Sequence, residues 1–148
     1  MSNNLSKSVA VDQVLGYFAA GTTKRTSSII DMAGYEGVMF IAGLGTTIEN
    51  GTLDVYVEQH TLNQTSGMAR LATTTVHTVT AANAALTQSA VVVDVYRPRE
   101  RYLQINITPA DQNAVILGVT AIRYNGKLEP STLGTQIKQT LLVEPTEA

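Results

Sequence analysis

Glu58 and His60 stand two positions apart in Thr52-Leu-Asp-Val-Tyr-Val-Glu-Gln-His60. Residues two apart on a strand share a face. With His77 on a neighbouring strand they would make a set of two histidines and one carboxylate, a pattern that holds divalent metals. The chain offers neither His-x-His nor His-Glu-x-x-His spacing. The plainer reading is a solvated strand face, and no metal or other cofactor is expected. A Ser-His-Asp hydrolase needs its serine on a strained strand-to-helix elbow, Gly-x-Ser-x-Gly. No such elbow is present, so the mere co-occurrence of the three residue types carries no chemistry. Gly16-Tyr-Phe-Ala-Ala-Gly21-Thr-Thr-Lys24 resembles a phosphate loop only in outline. A working loop places Lys directly after the second Gly and opens a helix, whereas Lys24 comes three residues later. It reads as a turn. No catalytic residue is assigned, and the chain is not expected to be an enzyme.

The most unusual stretch is Tyr96-Arg-Pro-Arg-Glu-Arg-Tyr102. Pro98 has no N–H to donate to a ladder, so it closes one strand and opens the turn to the next. Arg97, Arg99 and Arg101 flanked by Tyr96 and Tyr102 make a polar, stacking-capable surface of the kind enriched in protein interfaces. The alternative is a turn whose arginines pair locally with Glu100, Asp94 or Asp111. Three Arg are too few for a nucleic-acid patch. Asn63-Gln-Thr65 and Asn106-Ile-Thr108 match the glycosylation pattern. The start, Met1-Ser-Asn-Asn-Leu5, has no basic region followed by an apolar one, so no secretory leader is expected and those matches read as coincidence.

The elements that must position these residues have a period of two. Leu53, Val55 and Val57 alternate with Asp54, Tyr56 and Glu58. Leu103, Ile105 and Ile107 alternate with Tyr102, Gln104, Asn106 and Thr108. Each pattern is that of a strand with one buried face. Residues 114–122 are more continuously apolar, as expected of a central strand covered on both sides, with Gly118 marking a bulge or a close backbone approach. Further strands are expected over 8–14, 26–32, 37–44, 74–80 and 89–96, about eight in all. Asn50-Gly51 and Asn125-Gly126 suit turns that need positive φ. Residues 81–87 read as a single helical turn. The expected fold is therefore all-β: an antiparallel β-sandwich, jelly roll-like, with an immunoglobulin-like order left open. An N-terminal arm over 1–7 and a C-terminal arm over 127–148 flank a domain over 8–126. The later arm holds Pro130 and Pro145, and one apolar patch, Leu141-Leu142-Val143, through which it would dock.

Composition bounds the partners. A chain of 148 residues is one ordinary domain. It has no Cys, which excludes disulfides, thiolate metal sites and cysteine nucleophiles. The formal charge is -2, and 15% of residues are charged against about 25% in ordinary soluble domains. A general nucleic-acid binder needs a basic stripe, and no apolar run approaches the roughly 20 residues of a membrane helix. Neither nucleic acid nor membrane is an expected partner. The polar quota is instead Thr, Ser, Asn and Gln, which suits broad, weakly charged protein contacts.

Three stretches carry a resemblance: Ile30-Asp-Met-Ala-Gly-Tyr-Glu-Gly-Val38, Val93-Asp-Val-Tyr-Arg-Pro-Arg-Glu-Arg-Tyr102 and Asn113-Ala-Val-Ile-Leu-Gly-Val-Thr-Ala-Ile-Arg-Tyr124. The pattern resembles small head proteins of tailed bacteriophages, of the capsid decoration or cement type, over roughly residues 8 to 126. The resemblance implies a β-sandwich subunit, dimeric or trimeric, made in the host cytoplasm. It would sit on the outside of the virion where major capsid proteins meet, with no catalytic residues. The alternatives are a phage tail or head-completion protein and, from another class, a ligand- or carbohydrate-binding β-sandwich. The latter would want exposed aromatics, and the chain has no Trp.

Overall fold

The computed structural model describes residues 4–71, 75–79, 86–127 and 133–139. After one helical turn, α1 (Leu5–Ser8), all regular structure is β: β1 (Ala10–Leu15), β2 (Phe18–Gly21), β3 (Arg25–Thr26), β4 (Ile30–Asp31), β5 (Gly37–Thr47), β6 (Thr52–His60), β7 (Ala69–Arg70), β8 (Thr75–Thr78), β9 (Ala90–Tyr96), β10 (Tyr102–Ala110) and β11 (Ala114–Tyr124). They form two antiparallel sheets packed face to face. One is ordered β1-β11-β5-β9, with β2 also on β11; the other is β3-β10-β6-β7, with β4 also on β10 and β8 on β6.

Segments that pair with the same neighbour act as one interrupted strand. β1 with β2, β3 with β4, and β7 with β8 each fill one position, which reduces eleven segments to eight. The first of the eight then pairs with the last (β1–β11), the second with the seventh (β3 and β4–β10), the third with the sixth (β5–β9), and the fourth with the fifth (β6–β7 and β8). That nesting is a long hairpin rolled on itself, the jelly roll. In an immunoglobulin sandwich the first and last strands lie in different sheets. Here they are hydrogen-bonded neighbours, so that alternative is removed.

Alternation drives the packing. Val38, Phe40, Ala42 and Leu44 of β5 meet Leu53, Val55 and Val57 of β6 and Leu103, Ile105 and Ile107 of β10 in one core. Burying each large apolar side chain contributes roughly 1.5–3 kcal/mol before ordering costs. Asn50 and Asn125 hold positive φ, 67° and 52°, as their turns require. Gly118, at φ 142°, sits where the β11 register shifts. A Cβ there would come within 2.8 Å of Gln13 Nε2 and of Leu15 O. It is both a bulge and a close approach.

Three readings need correction. The strand over 26–32 is broken into β3 and β4, because Ser27 turns inward: its Oγ accepts from Ile105 N at 3.1 Å. The short segments β2 and β7 were not foreseen. Among the described residues, 114–122 are not covered on both sides, since Leu117 is 52% exposed on the outer face. Of the expected helical turn over 81–87, residues 81–85 lie outside the described residues.

Candidate protein-binding end

The three stretches singled out above converge at one end of the sandwich. β4 and the loop after it, the β9–β10 turn, and the end of β11 interlock there through side chains. Arg101 grips Asp31 with two bonds, Nε to Oδ1 at 2.8 Å and Nη2 to Oδ2 at 2.9 Å. This pairing holds the Asp31 carboxyl below its ordinary value of 3.8. Arg123 donates from Nη1 to the Asp31 carbonyl at 2.8 Å and from Nη2 to Asp12 at 2.9 Å, and its guanidinium lies 4.7 Å from the Tyr35 ring centre. Tyr124 donates to Asp94 at 2.5 Å. Burial first, then that bond, pushes its hydroxyl up to about 12. Gly37 makes the arrangement possible, because a Cβ there would clash with the hydroxyl end of the Tyr124 ring.

The turn itself is held in an unusual shape. Arg97 has φ 51°, left-handed backbone that a bulky residue adopts at a cost of order 1–3 kcal/mol. Two constraints impose it. Pro98 disfavours the right-handed helical region for the residue before it, and Arg97 N donates to Glu36 O at 2.7 Å, extending the β5–β9 ladder past its end. Arg97 and Arg101 each lie 5.1 Å from the adjacent tyrosine ring, Tyr96 and Tyr102.

The arginines do not pair with the acids expected from sequence. Arg101 takes Asp31, and Arg97 reaches Glu36 only at 3.8 Å with both side chains largely exposed. Glu100 is occupied by Thr61 at 2.8 Å, Asp94 by Tyr124, and Asp111 by Thr52 at 3.3 Å. Local sequence neighbours lost to residues that the topology brings closer. Arg99 is exposed and has no ion pair or hydrogen bond among the described residues. It stands between two shallow grooves of about 430 and 440 Å³. One is lined by Met32, Tyr35, Glu36 and Lys127, the other by Gln59, Arg70, Leu71 and Tyr96; Arg97, Pro98 and Arg99 border both. Tyr102 opens β10, opposite His60 and Asp31. Leu141, Leu142 and Val143 lie outside the described residues.

The metal set is not assembled. His77 pairs opposite Leu53, while Glu58 and His60 lie five and seven residues further along β6. Glu58 accepts from Asn106 Nδ2 at 2.8 Å, and His60 Nδ1 accepts from Leu62 N at 2.8 Å. Among the described residues no helix is long and apolar enough to cross a membrane.

Sequence reasoning missed Glu36, Lys127 and the exposed apolar residues Val92 and Leu117. The signal for the last two was present: apolar side chains at both parities of 91–93 and 114–122.

No protein-family model matches the chain, and no curated protein sequence does. Among solved structures it is similar over 82% of its length to a chain from the structure of infectious bursal disease virus, Gt strain, with 14% identity and a TM-score of 0.43. The protein spans 33% of that chain's length.

Proposed function

We propose that this chain is a structural virion protein that binds the outside of a bacteriophage capsid and stabilises the shell, as a decoration or cement protein. Its partners are then the major capsid protein and other copies of itself. The jelly roll alone does not choose this function, since capsid proteins, lectins and cupins share it. The observation that carries the reading is convergence. Three stretches far apart in sequence, those that resemble phage head proteins, fold into one interlocked end and leave Arg99 there exposed and without a partner among the described residues.

The chemistry supports a surface partner. The interior is filled by Phe40, Leu44, Ile105, Ile107 and Ile116, all nearly or fully buried. The grooves beside the turn are broad and open, a shape for another protein's loop rather than for a small molecule. An arginine with no local partner presents a fork that fits a carboxylate on the opposing surface. A protein that binds only the assembled shell stabilises it by mass action. Many copies then add up from weak single contacts.

The test is composition. Virions of the phage that encodes the chain should contain it in copy numbers comparable to those of capsomers, by quantitative mass spectrometry. Absence from virions would overturn the reading. A handful of copies per particle would replace it with a tail or head-completion role.

A further inference from the structure

The second groove beside the Arg-Pro-Arg turn, about 440 Å³, lies where the two sheets end on the same side: β9 closes one strand order and β7 the other. Its apolar lining is Leu71 and Val95, both packed against the core. Arg70, Arg97 and Arg99 bring three guanidiniums to it, and among the described residues no carboxylate lines it. Arg70 is held by Asp54 with two bonds, 2.6 and 2.9 Å. Arg97 meets Glu36 only at 3.8 Å, and Arg99 has no partner among the described residues. Gln59 accepts from Glu100 N through Oε1 at 3.4 Å, and its amide N–H groups have no acceptor among the described residues. Apolar walls are thus bordered by donors, with cations in excess, on a chain whose formal charge is -2. That local excess selects an anionic occupant.

The backbone beside the groove selects its form. Arg97 N donates to Glu36 O, and Ser89 O accepts from Leu44 N. Backbone groups alternate in direction along an antiparallel strand. The odd-numbered residues of β9 therefore face β5, while Val92, Asp94 and Tyr96 turn their N–H and C=O groups away from it. Among the described residues β9 pairs with β5 alone. Tyr96 also lines the groove, so this open row runs into it. Such a row accepts an extended segment as an added strand. A small anion would use none of it. Asp94, the one acid on β9, is engaged by Tyr124, so an added strand finds its cations at the arginine end.

We infer that an extended acidic segment of a partner protein adds to the β9 edge, its carboxylates on Arg97 and Arg99 and an apolar side chain against Leu71 and Val95. This rests on the function proposed above, in which the partner is the shell protein, and it names the chemistry by which that partner is held. Guanidinium forks bind carboxylates bidentately, and the strand ladder fixes the direction in which they meet.

Fluorescence anisotropy on the full chain tests this, with a labelled decapeptide of alternating glutamate and valine. That peptide should bind, and one of alternating lysine and valine should not. The acidic peptide with every backbone nitrogen methylated keeps its charges and cannot donate to a strand, so it should lose most of its affinity. Arg97→Ser/Arg99→Ser should weaken binding by about tenfold or more, with an unchanged melting midpoint. If that variant fails to fold, the exposed Arg99→Glu decides and should abolish binding. Equal binding of the acidic and basic peptides, full affinity of the methylated peptide, or arginine variants that bind as the wild type does would each overturn the inference. The chain's own Glu129, Glu144 and Glu147 are the competing occupants. Glu129→Gln/Glu144→Gln/Glu147→Gln should bind the peptide as the wild type does, and markedly tighter binding by this variant would overturn the inference in their favour. Binding to purified shells is read separately. A chain that pellets with shells and ignores the acidic peptide defeats this inference alone; one that takes the peptide and ignores shells defeats the proposed function and leaves the groove standing.

Discussion

Arg97, Arg99 and Arg101 share a residue type within five positions, and the fold separates their roles. Arg101 is a clamp on Asp31, Arg97 a strained hinge of the turn, and Arg99 an exposed fork with no partner among the described residues. Their substitutions should therefore differ. Arg99→Ser should leave the thermal midpoint unchanged and reduce shell binding by pull-down. Arg97→Gly relieves the left-handed strain, so the fold should be at least as stable while binding falls, a trade common at functional turns. An unstable Arg97→Gly variant would contradict the strain argument. The clamp also predicts a pH effect. Arg101 lowers the Asp31 carboxyl, so its stabilisation is intact above the ordinary 3.8 and is lost as pH falls below it. At the other extreme the Tyr124 hydroxyl is raised from 10.0 to about 12. The fold favours its neutral form, so that contribution is intact below pH 10 and is lost between pH 10 and 12. Urea unfolding against pH should show both slopes, with Asp31→Asn removing the acidic one and Tyr124→Phe the alkaline one.

At the scale of elements, alternation made most strands legible. Leu53-Asp54-Val55 and Leu103-Gln104-Ile105 have one reading, and the structure follows it. What alternation cannot show is interruption. Ser27 breaks one strand because its hydroxyl bonds across the sheet to Ile105, a partner 78 residues away. The candidate site was legible only in part for the same reason. The Arg-Pro-Arg turn stood out by composition, but its partners Asp31 and Glu36 are brought to it by β5–β9 and β4–β10 pairing. Gly118 is the clearest case where sequence and structure agree. Gly118→Val should cost about 1–3 kcal/mol from backbone strain alone, more with the contacts to Gln13 and Leu15, measured by denaturant unfolding. The C-terminal arm gives a further test. Gly134 N donates to Val11 O at 2.8 Å, and Lys127 N to Gly34 O at 2.9 Å. Among the described residues these two backbone bonds are modest support, about 0.5–1.5 kcal/mol each. Truncation after Gly126 should therefore melt slightly lower and remain folded, while shell binding is lost. Aggregation of the truncated chain would place the arm in the core instead.

At the scale of the whole molecule, the surfaces of the sandwich differ in kind. One sheet is polar and faces water. The outer face of the other carries Val92 and Leu117, 53% and 52% exposed, beside Gln13, Thr120 and Asp94. On the function proposed above, the end that gathers Glu36, Arg97, Arg99 and Lys127 meets the shell. The low overall charge fits the proposed function, since charges on a surface covered by the shell would have to be desolvated. The most direct measurement is cosedimentation of the purified chain with shells stripped of it. The wild type should saturate the shells at a fixed ratio to the major capsid protein, and Arg97→Ser/Arg99→Ser, folded and equally associated, should stay in the supernatant. Wild-type protein that does not pellet with shells, or a double variant that pellets as well as the wild type, would contradict the account.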